Sequence, residues 1–199
     1  MENDIAASYG NQVLYKMCVE RPKHTHLDTI ASKIWLIGRS YAAAIERGAG
    51  EQIEEGEDFY MKKVAPAILA APIDEWITGV HHIERLTSEN ILDSLRCHKK
   101  VMDLFTSIAG GTTKRSLASK YLHFHAPNAF FIYDSRSNNQ VRQRLRNRKK
   151  HHDHSNPDCD EAYQIFCAKC LRYREELEEK IGRFVTPREL DSELLNFQY

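Results

Sequence analysis

No run in this sequence approaches the roughly 18 consecutive apolar residues that a membrane span needs, and its opening, MENDIAASYG, lacks the basic-then-apolar pattern of a secretory signal. Neither a membrane partner nor export is expected, and the expected location is the cytoplasm. The five cysteines are odd in number and show no framework spacing, which fits free thiols in a reducing compartment better than a disulfide-stapled fold. An excess of one charge is missing too: 28 Lys and Arg balance 28 Asp and Glu, so the chain as a whole does not advertise a polyanion partner. Strand signals are scarce and there is no internal repeat. What is present is a chain of 199 residues, 42% apolar and 28% charged, with the composition of an ordinary globular protein able to bury a core.

The balanced charges are unevenly placed. Residues 46–58, ERGAGEQIEEGED, carry six acidic side chains against the single Arg47, whereas residues 136–150 carry seven basic ones and no acid. Such runs commonly keep a surface solvated. The functional alternatives are that Arg142, Arg144, Arg146, Arg148, Lys149 and Lys150 touch phosphates and release counterions, and that the acidic segment from Glu46 to Asp58 offers a surface to a protein partner.

Apolar residues recurring every three or four positions predict helices over 27–45, 59–70, 73–80, 88–108, 114–125, 137–148 and 163–181, and a short one from Pro187 through Leu195. Asp28 or Thr29 offers a start for the first of these, and Ser88 for the fourth. The break Ala109-Gly110-Gly111-Thr112-Thr113 supplies the positive φ angles of a tight turn, and Gly182 stops the long charged helix. Phe130 to Tyr133 reads as a short extended run, after which Asp134 is well placed to cap the next helix. Thr186-Pro187-Arg188-Glu189 has the form of a capping box with Pro at the first helical position. The predicted class is an all-α single domain, with a helical part over 1–108, a hairpin and candidate site over 109–148, and a loop with C-terminal helices over 149–199.

Cys167-Ala-Lys-Cys170 has the two-residue gap of a zinc knuckle, and His151, His152, His154 and Cys159 lie upstream. That pair falls within a helical stretch and the other residues do not repeat a finger spacing, so no metal and no cofactor are expected. His123 and His125 straddle Phe124 and diverge by about 200° around a helix, which keeps them from sharing one ligand.

The stretch from Gly110 to Arg142, GGTTKRSLASKYLHFHAPNAFFIYDSRSNNQVR, resembles the helix-hairpin-helix DNA glycosylase superfamily and, within it, the 8-oxoguanine glycosylase branch. A glycine hairpin is followed by a helix carrying Leu117, Ala118, Tyr121 and Leu122, then by Phe131-Ile132-Tyr133-Asp134. With Trp35-Leu36-Ile37-Gly38-Arg39-Ser40-Tyr41 upstream, the pattern is also similar to a group of bacterial proteins with an 8-oxoguanine-glycosylase-like fold. The resemblance implies two apposed helical lobes with a cleft, a double-stranded DNA partner and, with it, a nucleoid-associated location. It also implies a lysine that attacks the sugar C1′ and an aspartate that assists. Lys114, twenty residues before Asp134, falls at or beside the nucleophile position; Lys120, fourteen residues before it, is the second candidate. The same resemblance makes Gly110, Gly111, Arg115, Arg136, Arg142 and Arg146 candidate DNA contacts, and Tyr41, Tyr121 and Tyr133 rings able to hold a flipped base. The four-cysteine iron–sulfur signature of one subgroup is absent.

A lysine acts as a nucleophile once its pKa falls from about 10.4 toward 7 or 8, which burial achieves. The competing readings are that both lysines are surface charges or phosphate contacts, that Asp134 only caps its helix, and that the rings are core. In those cases the chain is a DNA-binding protein without the chemistry, such as a component of a bacterial genome-defence or mobile-element system, or a protein-interaction module.

Overall fold

The computed structural model describes residues 2–49, 58–146 and 156–196, and every regular element among them is a helix. The all-α expectation therefore holds. No helix among the described residues is long and apolar enough to cross a membrane.

The chain opens with α1 (Glu2–Glu20), a helix that apolar periodicity does not announce: of its described side chains Leu14 and Cys18, one turn apart, are buried, while Tyr9, Val13 and Val19 are exposed. In α2 (Leu27–Ser40) the stripe is plain, with Ile30, Ile34 and Ile37 buried together. This helix stops five residues short of its predicted end. Ala42 takes a left-handed φ of 51°, and Ala43 N–H returns to the Gly38 carbonyl at 2.8 Å. A side chain at Gly38 would sit 3.2 Å from the Ala44 Cα, so the missing Cβ lets the chain double back across its own helix. The turn that results carries Tyr41.

One π-helical turn (Tyr60–Val64) leads into α3 (Ala65–Ala70), and α4 (Ile73–Thr78) follows. In α5 (Ile91–Ile108) Leu95, Val101, Met102 and Phe105 face the core; the helix begins after Asn90, not at Ser88. It ends at Gly110 and Gly111, with φ of 64° and 94°, where the Gly111 N–H closes on the Thr106 carbonyl at 2.9 Å.

The central element is α6 (Arg115–His125). Every residue from 117 to 125 is buried, and the helix packs against α1, α2 and α5. Such enclosure favours protein partners for its polar groups; the buried Nε2 of His125 is the exception and has none among the described residues. After it, the buried extended run 130–132 leads to α7 (Ser135–Arg144), which packs on α8 (Glu161–Ile181) and α9 (Pro187–Asn196). Gly182 at φ 71° ends α8, and the Thr186–Glu189 capping box is formed in both directions, at 3.2 and 2.9 Å. Leu14 and Cys18 of α1 and Leu190 and Leu194 of α9 belong to one continuous apolar core.

Candidate functional site

The polar residues that α6 encloses define the site. Lys120, only 3% exposed, sends its ammonium past the end of the Tyr41 turn. Its Nζ donates to Ser116 Oγ, one helical turn back, at 3.0 Å and to the Tyr41 carbonyl at 3.3 Å, and lies 3.5 Å from Asp134 Oδ2. The Tyr41 ring lies beneath it, 5.5 Å from ring centroid to nitrogen. Burial draws the amine pKa below that of an ordinary lysine, with Asp134 and Asp191 opposing the shift.

Asp134 does two things at once. Its backbone is extended, Oδ1 accepts the Ser137 N–H at 2.8 Å as the N-cap of α7, and Oδ2 faces Lys120. Capping and facing the lysine are thus one conformation. With a quarter of its side chain exposed, Asp134 is the part of the pair that meets solvent.

Behind this pair stands α9. Asp191, 4% exposed, accepts from Ser137 Oγ at 3.0 Å and lies 3.4 Å from Arg188 Nη1. Arg188 in turn donates to the Tyr41 hydroxyl at 2.8 Å, and that hydroxyl donates to Asn11 Oδ1 of α1 at 2.6 Å. Burial pushes the Asp191 carboxyl up to about 6, against the pull of Arg188. A second link from α1 runs beside it: the Tyr15 hydroxyl meets His123 Nε2 at 2.5 Å, while His123 Nδ1 meets the Phe130 carbonyl at 2.9 Å. That carbonyl fixes the tautomer, so Nδ1 donates and Nε2 accepts. Burial holds the His123 pKa down at about 4, a neutral ring.

Several residues singled out from the sequence lie elsewhere. Lys114 is buried, but its amine is bonded to the Arg47 carbonyl and lies 3.5 Å from that of Ala44, where it fastens the turn after α2; of the two lysines it is Lys120 that meets Asp134. Tyr121 faces other partners. It is wholly buried, and its hydroxyl meets His24 Nε2 at 2.5 Å, with His24 Nδ1 in turn 2.6 Å from Asp74. Arg115 is not open to phosphate either, because Nε and Nη2 grip the Asp160 carboxylate at 2.5 and 2.8 Å. Tyr133 packs edge-on against Phe166 at 5.1 Å beneath the Arg115 guanidinium. Gly110 and Gly111 close α5, and Arg136, Arg142 and Arg146 are exposed on α7 and just beyond it.

Of the charge runs, Glu46 pairs with Arg39 and Tyr60, whereas residues 50–57 and Arg148, Lys149 and Lys150 lie outside the described residues. His151, His152 and His154 lie outside them as well. Cys159, Cys167 and Cys170 are buried free thiols, and burial raises the pKa of each, which disfavours the thiolate that zinc needs. No group of three metal-ligating side chains occurs among the described residues.

Asp191, Arg188 and Ser137 escape a sequence reading that looks to the hairpin alone. A signal was available: Arg188 and Asp191 are three residues apart on a helix, and Asp191 lies next to Leu190 and three residues before Leu194, both buried, which sets an acid on an apolar face. No protein-family model, no curated protein and no solved structure matches this chain.

Proposed function

We propose that this chain is a DNA base-excision protein of the helix-hairpin-helix glycosylase type, whose nucleophile is Lys120, assisted by Asp134, at a cleft between two helical lobes. The observation that carries the reading is the buried Lys120 amine beside a partly exposed carboxylate, at 3.5 Å. Burial favours the neutral amine, the form that attacks carbon. Attack of Nζ on the sugar C1′ forms the C–N bond as the base leaves with the electron pair of the glycosidic bond and takes up a proton. Loss of the amine protons and opening of the sugar ring then leave an imine between Lys120 and C1′. Asp134 stabilises the positive charge that develops on the sugar. The target class is a damaged or modified purine such as 8-oxoguanine, flipped out of a duplex. Arg136 and Arg142, exposed on α7, and Arg146, exposed just beyond it, are the proposed phosphate contacts.

Borohydride trapping on duplexes that carry 8-oxoguanine or an abasic site tests this. A covalent adduct is expected from the parent and from Lys114→Ala, none from Lys120→Ala, and from Asp134→Asn a rate lower by about 10²-fold or more. Duplex affinity should fall with salt, Arg142→Ala and Arg146→Ala each reducing the logarithmic slope by about 0.9. Binding without adduct or base release would instead describe a DNA reader, and no binding at all an interaction module.

A further inference from the structure

The contacts around Lys120 close into a ring that reaches well beyond the Lys120–Asp134 pair. From Lys120 it passes to Asp134, whose Oδ1 holds the Ser137 N–H; from the Ser137 hydroxyl to Asp191; from Asp191 to Arg188; from Arg188 to the Tyr41 hydroxyl; and from the Tyr41 carbonyl back to Lys120. Resting on the reading of Lys120 as a nucleophile, we propose that Asp191 is a positioning residue of that site, holding Asp134 through Ser137 and Tyr41 through Arg188 so that both meet the amine.

The helix that carries Asp191 is firmly placed. Leu190 and Leu194, each 1% exposed, seat it in the core, and the Thr186–Glu189 box fixes its first turn. Asp191 itself is costly where it stands, since a buried carboxyl with one hydroxyl donor at 3.0 Å and one guanidinium at 3.4 Å is only partly repaid for the water it loses. A leucine would continue the apolar face without that cost. What the acid adds is a link between two elements that contact Lys120, the start of α7 and the turn after α2.

It adds a charge as well. The titratable groups facing Asp191 are Arg188 on its own helix, Asp134 at the start of α7, Lys120 of α6, Tyr41 after α2, Tyr15 of α1 and Cys170 of α8. Burial raises the two phenols and the thiol and so keeps them protonated, which leaves Asp191 as a charge that acts on Lys120. An ionised Asp191 favours the ammonium form of Lys120, against the burial that disfavours it.

The experiment uses the full chain with Asp191→Asn, which keeps the size of the side chain and an oxygen for Ser137, and Arg188→Ala. The first readout needs no DNA: the ¹⁵N shift of Lys120 Nζ followed against pH, assigned with Lys120→Met. Its midpoint is expected to move to lower pH in Asp191→Asn, and an unmoved midpoint overturns the electrostatic half of the proposal. The second is single-turnover borohydride trapping on an abasic-site duplex at saturating protein, at a pH above the Lys120 midpoint of every variant so that the fraction of neutral amine is the same in each. The rate is expected to drop about tenfold in both variants, equivalent to about 1.4 kcal/mol, with duplex Kd within about twofold of the parent. Parent-like rates, or a loss carried entirely by Kd, overturn the positioning role. Should Asp191→Asn fail to fold by circular dichroism, Arg188→Ala, whose side chain is 29% exposed, carries the test alone. A parent that forms no adduct refutes the excision reading, while the amine titration still decides whether Asp191 governs Lys120.

Discussion

Replacing Lys120 with methionine separates a working lysine from a structural one. Loss of one partner from a buried ion pair usually costs about 3 to 5 kcal/mol, because the other charge is stranded. Here that penalty is small: Asp134 keeps the Ser137 N–H at 2.8 Å, and a quarter of its side chain meets water. The Tyr41 carbonyl loses its 3.3 Å donor, worth about 1 to 3 kcal/mol if nothing replaces it. Against this stands the ammonium itself, 3% exposed and with its pKa drawn down, so that burial outweighs its partners. A methionine of similar length removes that desolvation and fills the space.

The two sides are close, and Lys120→Met is expected to change the unfolding free energy by less than about 1.5 kcal/mol in urea titrations followed by circular dichroism. At about 2 to 4 °C per kcal/mol for a chain of this size, Tm moves by no more than about 6 °C. Adduct formation, by contrast, is expected to vanish. A stability loss beyond about 3 kcal/mol would make Lys120 a structural cation and refute the reasoning, whatever the trapping assay shows.

Three further predictions concern the surroundings. A carboxyl held near 6 in the folded chain, against an ordinary 3.8, binds its proton more tightly folded than unfolded; its stability contribution is therefore present below about pH 4 and is lost as pH rises through 6. The stability of the parent should thus fall relative to Asp191→Asn between pH 4 and 7, by up to about 3 kcal/mol at 1.36 kcal/mol per pH unit. Asp160→Asn keeps the Oδ1 that accepts from both the Tyr163 N–H and Arg115 Nε but loses the Oδ2 that accepts from Arg115 Nη2, and with it the charge; thermal melts should show a loss of about 1.5 to 3 kcal/mol with trapping unimpaired. Tyr121→Phe removes the hydroxyl that meets His24 Nε2; unfolding free energy should drop about 1 to 2 kcal/mol while trapping stays within about twofold, and a selective loss of base release would return Tyr121 to the base pocket.

Strong periodicity made most of the fold legible. The stripes of α2 and α5, the hairpin glycines, the Asp134 cap and the Thr186 box are local signals, and each appears where its chemistry requires. The failures are of another kind. The first helix buries only Leu14 and Cys18 among its described side chains and is held by long-range partners such as Tyr15 with His123, which no local pattern reveals. The choice between Lys114 and Lys120 likewise rested on distance in sequence, whereas space is set by the reversal at Gly38, which brings the Tyr41 and Ala44 carbonyls to different lysines. Asp191 lies 71 residues beyond Lys120 in the chain and enters the site only through tertiary packing.

Burial alone does not single out Lys120. Lys33 is wholly buried, with its amine 3.4 Å from the carbonyls of Pro22 and Lys23, and Lys114 fastens Ala44 and Arg47 in the same way. Arg174, 1% exposed, reaches the Leu86 carbonyl at 2.5 Å and lies 3.7 Å from Glu178, but a guanidinium keeps its proton and cannot become a nucleophile. Lys33 and Lys114 are held by backbone oxygens, and the acids that act on them, Asp74 and Glu46, do so without an ion-pair contact. Lys120 differs in its partners: a carboxylate open to solvent at 3.5 Å, and a second carboxyl, Asp191, joined to the first through Ser137. Lys120 thus has a carboxylate in direct contact, and that contact is what favours it over Lys33 and Lys114 as the proposed nucleophile.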